Sequence, residues 1–203
     1  MMPWPGDLLN ELAHRLSMTW GLFQVVRAVE QVNRYTLDQP RGYLLDRIAD
    51  GCGRSMAMRV ASLLLDRDPN SIGVHSLLEQ MRLYYPKNMA FGATVAPAVV
   101  AKLVTNDEKR LEKLVGMASR GKFWRDKEGG HIHRRNVEDL AAFDRELKAS
   151  QLTFAQFEKL LRGMRDILNG YYPVLRPDQE ASWNWEATDG FGELIRELAY
   201  GRT

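Results

Sequence analysis

Apolar residues recur along the chain at the three- and four-residue spacing of one helix face. In the first segment these positions are Leu8, Leu9, Leu12, Leu16, Trp20 and Phe23. The pattern continues to Val32, and Gln39-Pro40 marks a break because the residue before a proline avoids the helical region. A second helix is predicted over Tyr43 to Leu65, within which Gly51 and Gly53 indicate either a kink or a close helix–helix contact.

Two sequences later in the chain are typical of capping boxes, in which a Thr hydroxyl and a Glu or Gln side chain bind free amides of the first helical turn. They begin at Thr105 and Thr153, and Asn136 is a further predicted N-cap. After a loop at 66–73, the predicted helices are 74–84, 105 to between 121 and 124, 136–147, 153–171, and a last helix with Phe191, Leu194, Ile195 and Leu198. Residues 88–104 give no clear pattern, and 173–185 are expected to be irregular.

No segment alternates apolar and polar residues with the period of a strand, and neither an internal repeat nor a long linker is visible. The pattern therefore predicts an all-α protein, a bundle of about six to eight helices that forms a single domain over residues 1–203.

Composition places the chain among soluble globular proteins, with 203 residues, 27% charged and 45% hydrophobic. The single cysteine, Cys52, excludes an internal disulfide and favours a reducing cytosol, and we expect it to be a buried, inert thiol. The uncharged run from Asn88 to Ala101 is too short to span a bilayer, and the first residues do not resemble a secretion signal. These features predict a cytoplasmic protein that does not associate with membranes.

Charge is concentrated in one short stretch of the chain, although the formal net charge is only +2. Residues 120–135 hold six basic side chains and two acidic ones, Asp126 and Glu128. The basic residues are Arg120, Lys122, Arg125, Lys127, Arg134 and Arg135. Such a patch attracts phosphates, whereas the alternative is a solvated loop without a ligand.

The usual phosphate-loop, dinucleotide, zinc-protease and nucleophile-elbow signatures are absent from the sequence, and no cofactor is predicted. Residues 123–135 instead combine two glycines, two histidines and the basic cluster. Arg125 suits a phosphate oxygen, and His131 suits proton transfer near neutral pH. Three alternatives stay open: a metal site at His131 and His133, a surface ion pair of Arg125 with Glu128 or Asp126, and an ordinary connector between helices.

The stretch Arg125-Asp126-Lys127-Glu128-Gly129-Gly130-His131 resembles the Arg-x(4–6)-His motif of the HEPN superfamily, and most closely its abortive-infection AbiU-type branch. Residues 58–81 resemble that branch's apolar helix, Asp, short loop and Ser-Leu-Leu turn, and 183–198 resemble its Trp-rich turn and final helix. The resemblance extends over about residues 15–200. Two departures are His133, at a position that is often acidic, and the Gly129-Gly130 pair.

The resemblance implies a HEPN-like fold and a homodimer in which two motifs meet across a two-fold axis. It implies that Arg125 stabilises phosphate charge, that His131 orients the phosphate or acts as acid and base, and that Asp126 tunes the pair. The RNA-binding candidates are Lys122, Lys127, His133, Arg134 and Arg135. No metal ligand is assigned, because carboxylates do not cluster around the histidines.

Two functions follow from the resemblance. The first is a metal-independent endoribonuclease of phage defence or of a toxin–antitoxin pair, restrained by an antitoxin or regulatory protein. The alternative is a HEPN-like dimer without catalysis that binds RNA, nucleotide or a partner protein.

Overall fold

The computed structural model describes residues 4–33, 37–68, 71–84, 95–119, 145, 152–177 and 190–201. These ranges contain six helices and no strand, which confirms the all-α prediction at the lower end of the expected number of helices. The helices are α1 (Pro5–Gln31), α2 (Gln39–Leu65), α3 (Val74–Tyr84), α4 (Pro97–Ala118), α5 (Phe154–Leu175) and α6 (Gly190–Tyr200). The helix predicted from Asn136 lies outside the described residues, and the single-domain assignment stays a prediction.

Helix α1 packs against four other helices, α2, α3, α5 and α6. All six apolar positions that predicted it, from Leu8 to Phe23, are buried in the main hydrophobic core. The same core takes the apolar sides of α2, α3, α4 and α5. Thus the long amphipathic pattern at the start of the chain supplies the surface on which the other helices assemble.

Helix α2 begins at Gln39, four residues before the predicted start. Asp38 caps it, since its carboxylate accepts a hydrogen bond from the Arg41 amide at 2.9 Å, and Pro40 lies in the first turn, where its missing N–H costs nothing. A Cβ built at Gly51 or Gly53 would meet no described atom within 4 Å. Among the described residues there is therefore no close helix–helix contact at these two glycines.

The predicted start of α4 at Thr105 is also wrong, because this helix already begins at Pro97, with Ala96 as its N-cap. Thr105 lies in the helix interior, and its hydroxyl donates to the carbonyl of Ala101 at 3.0 Å. Pro97 lies in the first turn of this helix. In a sequence, a proline that begins a helix cannot be told from one that ends it, and for this reason residues 88–104 gave no clear prediction. The described helix ends at Ala118.

The capping box at the start of α5 is confirmed. The Gln156 amide donates to the Thr153 hydroxyl at 3.2 Å, and the Thr153 amide donates to the Gln156 side chain at 2.8 Å. The helix extends past the predicted end at Tyr171 to Leu175, with Pro173 inside it. Pro173 lies in the last turn, where a missing backbone donor removes little of the hydrogen-bond ladder.

Helix α6 closes a second, smaller hydrophobic cluster. Its Ile195 and Ala199 are buried with residues from the end of α1 and the start of α2. The other apolar side chains of its predicted face, Phe191, Leu194 and Leu198, are exposed. The predicted last helix is confirmed, and of the four apolar residues that predicted it only Ile195 is buried. None of the helices in the described ranges has the length and apolar character needed to cross a membrane.

Candidate nucleic-acid interface

The predicted catalytic residues Arg125, Asp126 and His131 lie outside the described residues. The predicted RNA-binding residues do too: Lys122, Lys127, His133, Arg134 and Arg135. What the structure describes is the pair of helices that flank them in the chain. Helix α4 ends with Ser119 as its C-cap, and α5 begins after Thr153.

Helices α4 and α5 pack side by side and run antiparallel. Near one end Leu103 lies against Gly170, and toward the other end Leu114 lies against Gly163. The C-terminus of α4 and the N-terminus of α5 are therefore at the same end of the pair. The chain that carries the Arg125 and His131 motif is thus attached at both its ends to this end of the helix pair.

Gly163 allows the two helices to approach closely at this end. A Cβ built at Gly163 would lie 2.7 Å from Cδ2 of Leu114, nearer than a real Cβ contact. Leu114 itself is buried in the main core. The missing side chain therefore lets an α4 leucine pack directly against the α5 backbone.

A surface groove of about 760 Å³ runs between α4 and α5 over this same stretch. Its walls are Arg110 and Lys113 from α4 and Glu158, Lys159, Arg162 and Asp166 from α5, and between them lie Leu114, Met117, Ala155 and Gly163. Basic residues stand on both walls, and the surface between them is aliphatic.

Some charged side chains of the groove form ion pairs within the protein and others do not. Arg110 contacts the buried carboxylate of Asp107 at 3.2 Å. Arg162 pairs with Glu158 at 2.8 Å, and its guanidinium also lies 5.4 Å from the ring centre of Trp20. Asp166 lies 3.5 Å from Arg165. Within the described part of the chain, Lys113 and Lys159 make no ion pair, so each wall presents one lysine that is not neutralised.

Asp107 is a carboxylate inside the interface of the two helices, with only 1% of its side chain exposed. Burial raises its pKa, and the nearby Arg110 and Tyr171 oppose that increase. Burial and the adjacent Asp107 also raise the pKa of Tyr171. The second Asp107 oxygen and the Tyr171 hydroxyl lie near each other without a hydrogen bond of ordinary geometry to any described group. The charged form of Asp107 is therefore disfavoured inside the helix interface.

A second polar cluster lies between α3 and α4, around a cavity of about 500 Å³. Arg82 forms an ion pair with Glu108 across it. Burial and the neighbouring Arg67 lower the pKa of His75, whose ring also interacts with the Leu64 backbone. His75 is therefore neutral and packs against the end of α2, which is typical of a structural residue and not of one that transfers protons.

Cys52 differs in part from the expectation, because its side chain is only partly buried. Burial still raises the pKa of its thiol, which keeps it protonated and weakly nucleophilic. No group of three or more histidine, cysteine or carboxylate side chains within the described ranges is arranged to hold a metal ion. The alternative of a metal at His131 and His133 lies outside those ranges.

The lysines of the groove are the residues that sequence reasoning missed. Basic residues are dense in the stretch 120–135, whereas Lys113 and Lys159 lie in ordinary helices 46 positions apart. The available signal was a pair of basic residues at i and i+3 in each flanking helix, Arg110 with Lys113 and Lys159 with Arg162. Only the antiparallel pairing of the helices brings the two pairs to one groove.

Comparison with known proteins identifies the family. The chain matches the HEPN-family profile described as AbiU2 over residues 6–192. Neither the curated proteins nor the solved structures contain a match. Because the matched region is nearly the whole chain, the protein belongs to the AbiU2 family of HEPN proteins, an abortive-infection type.

Proposed function

We propose that this AbiU2-family protein is a metal-independent endoribonuclease that acts in phage defence or as a toxin held in check by a partner protein. The observation that carries the proposal is the combination of family membership over residues 6–192 with the Arg125-x5-His131 sequence between α4 and α5. Arginine and histidine together provide what RNA cleavage without a metal needs, a fixed positive charge and a proton carrier.

In the proposed reaction the RNA 2′-hydroxyl attacks the adjacent phosphorus, and the bond from phosphorus to the 5′-oxygen breaks. A 2′,3′-cyclic phosphate remains on one fragment and a 5′-hydroxyl on the other. Negative charge grows on the phosphate oxygens during this step, and Arg125 stabilises it with paired N–H donors. Asp126 orients the arginine and the histidine.

Two protons must move during this reaction, one from the 2′-hydroxyl and one to the departing 5′-oxygen. An imidazole with a pKa near 6.5 is suited to either transfer at neutral pH. A single motif supplies one imidazole, whereas a homodimer supplies two, so that one His131 takes a proton while the other gives one. Lys122, Lys127, His133, Arg134 and Arg135 bind the RNA backbone around this site.

The homodimer is a testable part of the proposal. A two-fold axis is the commonest symmetry of protein oligomers, and it doubles every group that one motif supplies. We expect light scattering at micromolar concentration to give the mass of two chains. A monomer under these conditions would contradict the shared cleft.

The catalytic assignment is tested by Arg125→Ala and His131→Ala. Each is expected to reduce cleavage of a mixed RNA panel by roughly 10²-fold or more, because each removes charge stabilisation or proton transfer. Arg125→Lys should fail as well, since an ammonium group cannot reproduce a two-pronged phosphate contact. Thermal melts of the same samples control for folding.

Three results would count against the proposal. If the variants cut as fast as wild type, Arg125 and His131 are not the catalytic pair. If they also melt many degrees lower, the two residues are structural. If wild type leaves every RNA intact without its partner protein, the binding-module alternative replaces the enzyme.

A further inference from the structure

We propose that the groove between α4 and α5 binds the sugar–phosphate backbone of single-stranded RNA, beside the points where the segment that carries the Arg125 and His131 motif joins these two helices. This inference rests on the proposed function for the identity of the ligand, but the groove residues differ from the proposed catalytic residues. Every lining residue that the structure describes belongs to α4 or α5, and Lys113 and Lys159 are among them.

The position of the groove supports a substrate path. It covers the second half of α4 and the first half of α5, and these halves meet at one end of the helix pair. The chain from 120 to 151 begins and ends at that same end, directly after Ser119 and before Leu152. A strand bound in the groove therefore lies next to the attachment points of the segment with the proposed catalytic residues.

The charges of the groove point to a polyanion. Four of its lining residues are cations and two are carboxylates. Both carboxylates are already paired with arginines, Glu158 with Arg162 and Asp166 with Arg165. Lys113 and Lys159 remain, one on each wall, and a chain of phosphates between them would meet a positive charge on either side.

The apolar part of the lining indicates which part of the RNA the groove contacts. Leu114, Met117 and Ala155 are aliphatic, and none of the described residues that line the groove is aromatic. Nucleic-acid grooves that stack bases use aromatic rings for that purpose. Contacts here are therefore made to the backbone, which predicts binding with little sequence preference and a strong dependence on salt. The volume of about 760 Å³ is in the range of sites that enclose small organic groups.

The groove is tested with Lys113→Glu, Lys159→Glu and the double variant of the full chain. Lys102→Glu is the matched control, since Lys102 is an exposed lysine of the same helix that is not among the described lining residues and is too far along the helix to pair with Lys113. The probe is a fluorescent single-stranded RNA whose 2′-oxygens carry methyl groups. This RNA keeps its phosphates but lacks the nucleophile of the proposed reaction, so binding is measured without cleavage.

We expect the double variant to bind this probe at least about tenfold more weakly than wild type, and Lys102→Glu to bind it nearly as well as wild type. A plot of log affinity against log salt should lose about 1.4 units of slope in the double variant, since each phosphate contact to a single strand contributes about 0.7. Thermal melts should be unchanged, because both lysines are exposed.

The groove assignment is wrong if the groove variants and Lys102→Glu bind alike, or if wild type does not bind the probe. It is also wrong if the affinity falls without a change in salt slope, because the lysines then do not touch phosphates. The proposed enzyme can fail separately: an unmethylated RNA that stays intact, while the methylated probe still depends on Lys113 and Lys159, refutes the ribonuclease and supports the groove.

Discussion

Thr105 and Thr153 begin sequences of the same capping-box type, yet the structure gives them opposite roles. Thr153 caps α5, where its hydroxyl accepts from the Gln156 amide at 3.2 Å. Thr105 lies inside α4, and its hydroxyl donates to the Ala101 carbonyl at 3.0 Å. We therefore expect Thr153→Ala to destabilise the protein and Thr105→Ala to stabilise it slightly.

The magnitudes follow from what each change removes. At Thr153 the variant loses the acceptor for a free amide of the first turn, a loss that costs typically about 1 kcal/mol. For a chain of this size that corresponds to a decrease in melting temperature of about 3 °C. At the exposed Thr105 no free amide is lost, and alanine is favoured over threonine in a helix interior by about 0.5 kcal/mol. Its melting temperature should rise by about 1–2 °C.

The assay is thermal and urea unfolding of both variants beside wild type, followed by circular dichroism. Thr153→Ser is the control that keeps a capping hydroxyl, and it should stay within about 0.5 kcal/mol of wild type. If Thr105→Ala destabilises as much as Thr153→Ala, then Thr105 is a true cap and α4 begins there instead of at Pro97. That result would refute the described start of α4.

Two further predictions concern the pH dependence of stability. Burial raises the pKa of Asp107 above its ordinary 3.8, so its charged form is disfavoured in the folded state. The variant Asp107→Asn should therefore melt at a higher temperature than wild type at pH 7. This difference in melting temperature should shrink as the pH falls toward 3.8, because the wild-type carboxylate is then protonated. An unchanged difference across that range would contradict the assignment. The pKa of His75 is lowered below 6.5, so the unfolded state binds the proton first and stability falls as pH drops below 6.5. His75→Gln should lose that part of the decline, and an identical pH profile in both proteins would count against a buried neutral imidazole.

The sequence predicted well where one apolar face decides the structure. The stripe from Leu8 to Phe23 and the face of α3 from Val74 to Met81 are buried as expected, because each has a single apolar side to cover. At α6 the sequence predicted the helix but not its buried side, because Leu194 and Ile195 are both apolar and only Ile195 is buried. Which of two adjacent apolar residues is covered depends on the neighbouring helices, and the local pattern does not contain that information.

The candidate site divides in the same way. Clustered charge and a short motif identify residues 120–135 from the sequence, since all of their signals lie in one stretch. Lys113 and Lys159 each look like an ordinary solvated helix residue. They become neighbours across a groove only because Gly163 and Leu114 bring antiparallel helices together, which is a tertiary property.

The central claim is cleavage of RNA through its own 2′-hydroxyl, without a metal, and the most direct test is to identify the product ends. Purified protein is incubated with RNA and an excess of chelator, beside the same RNA with methylated 2′-oxygens, and the fragments are analysed by mass. The account predicts that only the unmethylated RNA is cut and that its fragments carry 2′,3′-cyclic phosphates and 5′-hydroxyls. Fragments with 5′-phosphates, cleavage that stops with chelator, or cleavage of the methylated RNA would contradict it.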